Sequence, residues 1–124
     1  MGQTLPVSDR AILIVEDEAL IRFDLVDFFE DAGFRVFEAD NASSAIAIME
    51  KNAEIRIVLT DIQMPGGMDG IRLAHYIRDR YPPVFLMVAS GAIRPTAADL
   101  PTDALFFPKP FDPRSVLDIL RARG

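Results

Sequence analysis

Three short stretches, residues 11–15 (AILIV), 55–59 (IRIVL) and 84–89 (VFLMVA), are almost continuously apolar and rich in β-branched or aromatic side chains. Strands covered on both faces read this way, whereas a strand with one wet face alternates. These three are therefore expected at the centre of a parallel sheet. The segment 34–39 (FRVFEA) alternates, with Arg35 and Glu38 interrupting it, and predicts an edge strand. A fifth strand is predicted at 104–107 (ALFF).

Between these runs the apolar spacing becomes helical. Leu20, Ile21, Leu25, Phe28, Phe29 and Ala32 recur along one helix, which the sequence ends at Gly33, a C-terminal cap signal. Further helices are predicted over 42–51, 69–80 and 113–123, the last with Asp112 and Pro113 suited to its N-cap and first position. The segment 91–103 (GAIRPTAADLPTD) contains Pro95 and Pro101, and Pro101 disfavours helix at Leu100, so only a short or irregular fourth helix is expected there. Strand and helix alternate five times, which implies a parallel sheet with helices on both faces and right-handed crossovers.

Composition changes this picture little. A chain of 124 residues, half hydrophobic and a quarter charged, suits one globular domain that buries roughly two-thirds of its unfolded surface. A polar lead over residues 1–10 and a domain over 11–124 is the expected division. With no cysteine, disulfides, thiolate zinc sites and cysteine nucleophiles are excluded. His75 is the only histidine and lies within a helical pattern, where it reads as a structural residue rather than a phosphorylated relay, and Arg72, Arg78 and Arg80 in the same pattern read as a solvated helix face. A net charge of −6 opposes non-specific binding to nucleic acid or acidic membranes, which leaves proteins as the expected partners. The first residues lack an apolar signal-peptide core, and no apolar run approaches the ~18 residues of a membrane span. A cytoplasmic location fits these features.

In open α/β sheets, sites lie beyond the carboxyl ends of the strands. Glu16 and Asp17 follow the first strand, Asp61 the third, Ser90 and Gly91 the fourth, and Lys109 and Pro110 the fifth. Each has an ordinary explanation taken singly: helix-terminal acids, a turn aspartate, a loop hydroxyl, an exposed cation. Together they place three acids, a hydroxyl and a lysine in one crevice. Clustered carboxylates are tolerated chiefly with a cation among them, and hard oxygen ligands suit Mg²⁺. An aspartate there can act as a nucleophile toward phosphorus, with Lys109 and Ser90 stabilising phosphoryl oxygens.

The residues that carry a resemblance are now in view: "ED" (16–17) after "LIV", "TDIQMP" (60–65) with "MDG" (68–70), "ASG" (89–91) and "PKPF" (108–111). Across nearly its whole length the chain resembles the receiver domain of two-component response regulators. The resemblance implies a flavodoxin-like (βα)5 doubly wound sheet in strand order 2-1-3-4-5. It implies Asp61 as the residue phosphorylated by a histidine kinase or histidine phosphotransfer protein, and a cytoplasmic switch whose output is the surface around the fourth and fifth strands and helices. It also implies Mg²⁺ held by Asp17, Asp61 and the Gln63 carbonyl, with Glu16 mainly through water. Ser90 and Phe106 become the switch pair, Lys109 the phosphoryl contact, and the bond from Lys109 to Pro110 is expected to be cis. Gln63 and Ala92 occupy the positions expected to tune dephosphorylation.

Departures from the family pattern are few. The stretch "MPGGMDG" carries one residue more than usual between Pro65 and Met68, and Phe106 stands where tyrosine is often found. Two other functions use similar residues. A Mg²⁺-dependent aspartyl phosphohydrolase would need a second aspartate two residues after the nucleophile, where this chain has Gln63. A non-phosphorylated receiver-like interaction module would be expected to lack an acid or the lysine.

Overall fold

The computed structural model describes residues 10–64, 69–91 and 94–123. Its elements in chain order are β1 (Ala11–Val15), α1 (Ala19–Asp31), β2 (Arg35–Ala39), α2 (Ala42–Lys51), β3 (Ile55–Asp61), α3 (Gly70–Arg80) and β4 (Phe85–Ser90), then a 3₁₀ turn (Ala97–Asp99), β5 (Leu105–Pro108) and α4 (Pro113–Arg123). All strand pairs are parallel, in the order β2-β1-β3-β4-β5. The three apolar runs are the three central strands, and the alternating segment is an edge, as the patterning predicts.

Alternation along each strand divides the core into two layers. Leu13, Val58, Leu86 and Val88 face α2 and α3, which contribute Met49, Leu73 and Ile77. Ile12, Ile14, Leu59 and Met87 face α1 and α4, which contribute Phe29, Val116 and Leu120. Phe29 is fully buried, with edge-to-face contacts to Phe28 and Phe34 at centroid distances of 5.1 and 5.5 Å. A buried aromatic cluster of this kind explains how one long helix is fixed on β1. No helix among the described residues is long and apolar enough to cross a membrane.

Local chemistry sets the helix ends. Asn41 and Asp69 cap α2 and α3, their side chains accepting from the backbone N–H groups of Ser44 and Arg72. Gly33 follows α1 with φ 97°, a left-handed conformation that a glycine adopts without a Cβ clash. Between β4 and β5 the described residues form no α-helix, only the 3₁₀ turn, whose Thr96 and Asp99 make a reciprocal capping box. Pro95 and Pro101 bracket that turn and prevent its extension.

Two expectations are corrected. Asp61 and Ser90 are the last residues of β3 and β4 rather than the residues beyond them. The ladder runs on because Ile62 N–H donates to Ala89 O and Lys109 N–H to Ser90 O. Arg78, expected on a solvated face with Arg72 and Arg80, instead donates to the carbonyls of Thr102, Pro82 and Val84 at 3.0, 2.7 and 2.7 Å. With His75 Nε2 lying 2.8 Å from Asp99 O, it ties the segment that lacks a helix to α3.

Gly70 allows a close approach between backbones. Its N–H donates to Ile62 O at 2.8 Å, and a Cβ placed on it would lie 1.8 Å from Asp61 O and 2.8 Å from Ile62 Cα. Both are backbone atoms, so no rotamer change relieves the clash. Gly70→Ala is expected to destabilise the fold by roughly 2 kcal/mol or more, as overpacking against backbone does. Urea denaturation checks this, and an unchanged midpoint would show that α3 does not need this approach.

Candidate functional site

The carboxyl ends of β1 and β3, with the residue that follows β5, bring Glu16, Asp61 and Lys109 together. Glu16 and Asp61 are buried, while Asp17, one residue further along, is exposed. One carboxylate oxygen from each acid lies within 4.8 Å of the others. Lys109 Nζ donates to Glu16 Oε1 at 2.6 Å and lies 3.3 Å from Asp61 Oδ1. Glu16 Oε2 accepts from Glu18 N–H, which closes the turn between β1 and α1 on the same side chain.

The electrostatics follow from this packing. Burial pushes the Asp61 carboxyl above the ordinary aspartate value, against the lowering influence of Lys109, and the Asp17 charge adds to the rise. Burial likewise raises Glu16, opposed by its hydrogen bond to Lys109. For Lys109 burial acts downward, but the hydrogen bond to Glu16 and the charges of Asp61 and Glu16 outweigh it and hold the ammonium above the ordinary lysine value. Three carboxylates against one ammonium leave a formal charge of −2 at the site. All the donors are hard oxygens, which fits a small divalent cation such as Mg²⁺.

The other sequence-predicted residues lie on the same sheet or in the segments that follow its strands. Ser90 is buried at the end of β4 and pairs in register with Pro108; Phe106 pairs with Val88 and is half-buried against the α2 and α3 layer. Gln63 lies two residues past Asp61 with its side chain exposed. The peptide bond between Lys109 and Pro110 is cis. Ala92 and the additional residue of the "MPGGMDG" stretch lie outside the described residues. Beside the acids, a groove of about 500 Å³ is lined mainly by Ile21, Leu25, Pro110, Phe111 and Pro113. On α1, Leu20 is 81% exposed and Phe23 50%.

Two contributors escaped sequence reading. Gly70 has no side chain to signal that α3 rests on the Asp61 carbonyl. Arg22 is the single basic residue in ALIRFDLVDFFED, a mismatch that could have marked it, and its guanidinium reaches the Glu16 carbonyl at 2.8 Å.

Comparisons with known proteins bear on the family and the fold. A family model described as "Response regulator receiver domain" matches residues 12–121. Response regulator protein FleR of Pseudomonas aeruginosa is 38% identical over 112 residues, 88% of this chain but 23% of FleR. Response regulator receiver protein CpdR of Brucella abortus is 35% identical over 113 residues, 88% of this chain and 92% of CpdR. A response regulator receiver protein from Sinorhizobium medicae superposes with a TM-score of 0.81 at 28% identity, covering 94% of this chain and 98% of that one.

Because burial raises the Asp61 carboxyl, the folded protein disfavours its charge relative to the unfolded chain at neutral pH. Asp61→Asn is therefore expected to stabilise the protein in chelator by on the order of 1 kcal/mol. That advantage is full at neutral pH. It shrinks as pH falls through the raised Asp61 range, where the folded wild type takes up the proton first. Thermal unfolding of both proteins across pH 4–8 checks it, and a destabilised variant at neutral pH would show that the Lys109 contact outweighs burial.

Proposed function

The chain belongs to the response regulator receiver domain family of two-component signalling, and from that membership and the geometry of its acidic end we propose that it is a phosphorylation-controlled switch with Asp61 as phosphoacceptor. The observation that carries the proposal is the placement of Asp61. It is a buried carboxylate at the end of a central strand, grouped with Glu16 and Asp17 and 3.3 Å from a lysine ammonium.

An Asp61 Oδ attacks phosphorus, the bond from phosphorus to the donor nitrogen or oxygen breaks, and an acyl phosphate remains on the carboxyl. Asp17, Asp61 and the Gln63 carbonyl, with Glu16, would hold Mg²⁺, which when bound supplies positive charge opposite the carboxylate and the phosphoryl oxygens. Lys109 supplies the chain's own cation at the same place and can exchange part of its contact with Glu16 for a phosphoryl oxygen. The Ser90 hydroxyl donates a charge-assisted hydrogen bond to the phosphoryl group, and the half-buried Phe106 follows into the space released. Gln63 orients water for hydrolysis of the acyl phosphate. The partner that delivers phosphorus is a histidine kinase or phosphotransfer protein, and the surface of β4, β5, the segment between them and α4 is the output.

Intact-mass spectrometry after incubation with Mg²⁺ and acetyl phosphate tests the reading. A single labile phosphoryl adduct is expected on the wild type and none on Asp61→Asn, with Gln63→Ala altering the decay rate. Full adduct formation on Asp61→Asn would remove the assignment. Continuous release of phosphate from acetyl phosphate with no adduct would point instead to a phosphohydrolase.

A donor histidine must reach the carboxyl end of β3, so its protein has to dock on the rim of the site, where Leu20 and the adjoining apolar groove are exposed. Leu20→Ala is expected to slow transfer from a phosphorylated donor protein roughly tenfold, as loss of one interface anchor does. Its reaction with acetyl phosphate should be unchanged. Equal rates from the protein donor in both variants would place docking elsewhere.

A further inference from the structure

The acids at the site differ in how they are held. Glu16 is tied by Lys109 and by the N–H of Glu18, and Asp61 sits in the sheet beside Lys109. Asp17 is exposed on the turn between β1 and α1, so the peptide before it decides where its carboxylate points. The N–H of Glu16 continues the sheet by donating to Ala39 O. The carbonyl of Glu16 has left the ladder and accepts instead from Arg22 Nη1 at 2.8 Å.

The other edge of the same guanidinium donates from Nε to Glu38 Oε1 on β2 at 2.9 Å. The Arg22 side chain is only 13% exposed, against 43% for Glu38, and its guanidinium lies 5.1 Å from the centroid of the Phe23 ring. Its backbone N–H also closes the first turn of α1 onto Glu18 O. One planar group thus joins the peptide between the two acids to an edge strand on one side and a helix on the other. A fork of fixed geometry does this, and an ammonium on a flexible stem does not.

We propose that Arg22 is a positioning residue, fixing the peptide from Glu16 to Asp17 so that the Asp17 carboxylate is presented to the divalent cation. The proposal rests on the Mg²⁺-binding reading above, and its sign separates it from simple electrostatics. Arg22 is a cation close to a cation site, so through its charge alone its removal would tighten Mg²⁺ binding. Removal of a positioning contact weakens binding instead, by about tenfold in the manner of groups that orient metal ligands.

Isothermal titration of Mg²⁺ into wild type, Arg22→Ala, Arg22→Lys and Glu38→Gln is the test, with urea denaturation of each to confirm a folded chain. Arg22→Ala and Arg22→Lys are both expected to bind Mg²⁺ about tenfold more weakly. Glu38→Gln keeps an acceptor for Nε and should bind as the wild type does. Should Arg22→Ala fail to fold, Arg22→Lys carries the measurement, because it retains charge and stem while losing the fork. Equal or tighter Mg²⁺ binding in the Arg22 variants overturns the proposal and leaves the phosphoacceptor reading standing. A wild type that binds no Mg²⁺ overturns both.

Discussion

A single ammonium group governs this structure. Lys109 Nζ sits 2.6 Å from Glu16 and 3.3 Å from Asp61, and without it two buried carboxylates would face each other across a sheet end with little water to separate them. Such an arrangement is costly, since removing one partner of a buried pair leaves an uncompensated charge. Because one lysine cannot neutralise three acids, the site keeps a negative excess. That excess is of the sign that would favour a cation at the end of β3, beside a carboxylate whose charge burial already disfavours.

The fold supplies rigidity around that charge. Strands β1 and β3 are buried on both faces, so the acids at their ends are carried on the parts of the chain that fluctuate least. Two aromatic and aliphatic layers hold the helices against the sheet, and α3 comes close enough to touch the backbone of Asp61 through Gly70. The opposite tendency is built in between β4 and β5. There a 3₁₀ turn replaces a helix, and its hold on α3 comes from side-chain contacts of His75 and Arg78 to backbone carbonyls. A rigid acidic end thus adjoins a segment whose described residues are held by a short capped turn and by side chains of α3.

Much of this was legible in the sequence, for physical reasons that differ by element. Doubly covered strands announce themselves as unbroken apolar runs, and 11–15, 55–59 and 84–89 became the three central strands. The acids and Lys109 could be grouped because strand ends in such sheets are fixed by topology. What could not be read depends on distances between elements. The ladder bonds that carry β3 to Asp61 and β4 to Ser90 require knowing which strands are neighbours. The three carbonyl contacts of Arg78 and the reach of Arg22 from α1 to β2 are invisible to periodicity, which assigns an arginine on a helix to solvent.

The edges of the sheet have a bearing on how the protein behaves in a crowded solution. A parallel sheet of five strands has two open margins, and exposed strand margins recruit other chains into intermolecular sheets. Here β5 is four residues long and ends in Pro108, which has no N–H to offer an incoming strand, while β2 carries Arg35 and Glu38. Both margins are therefore poor templates. Resistance to stacking by unrelated chains is thus built into the strand margins, independently of the apolar side chains Leu20 and Phe23 that α1 exposes.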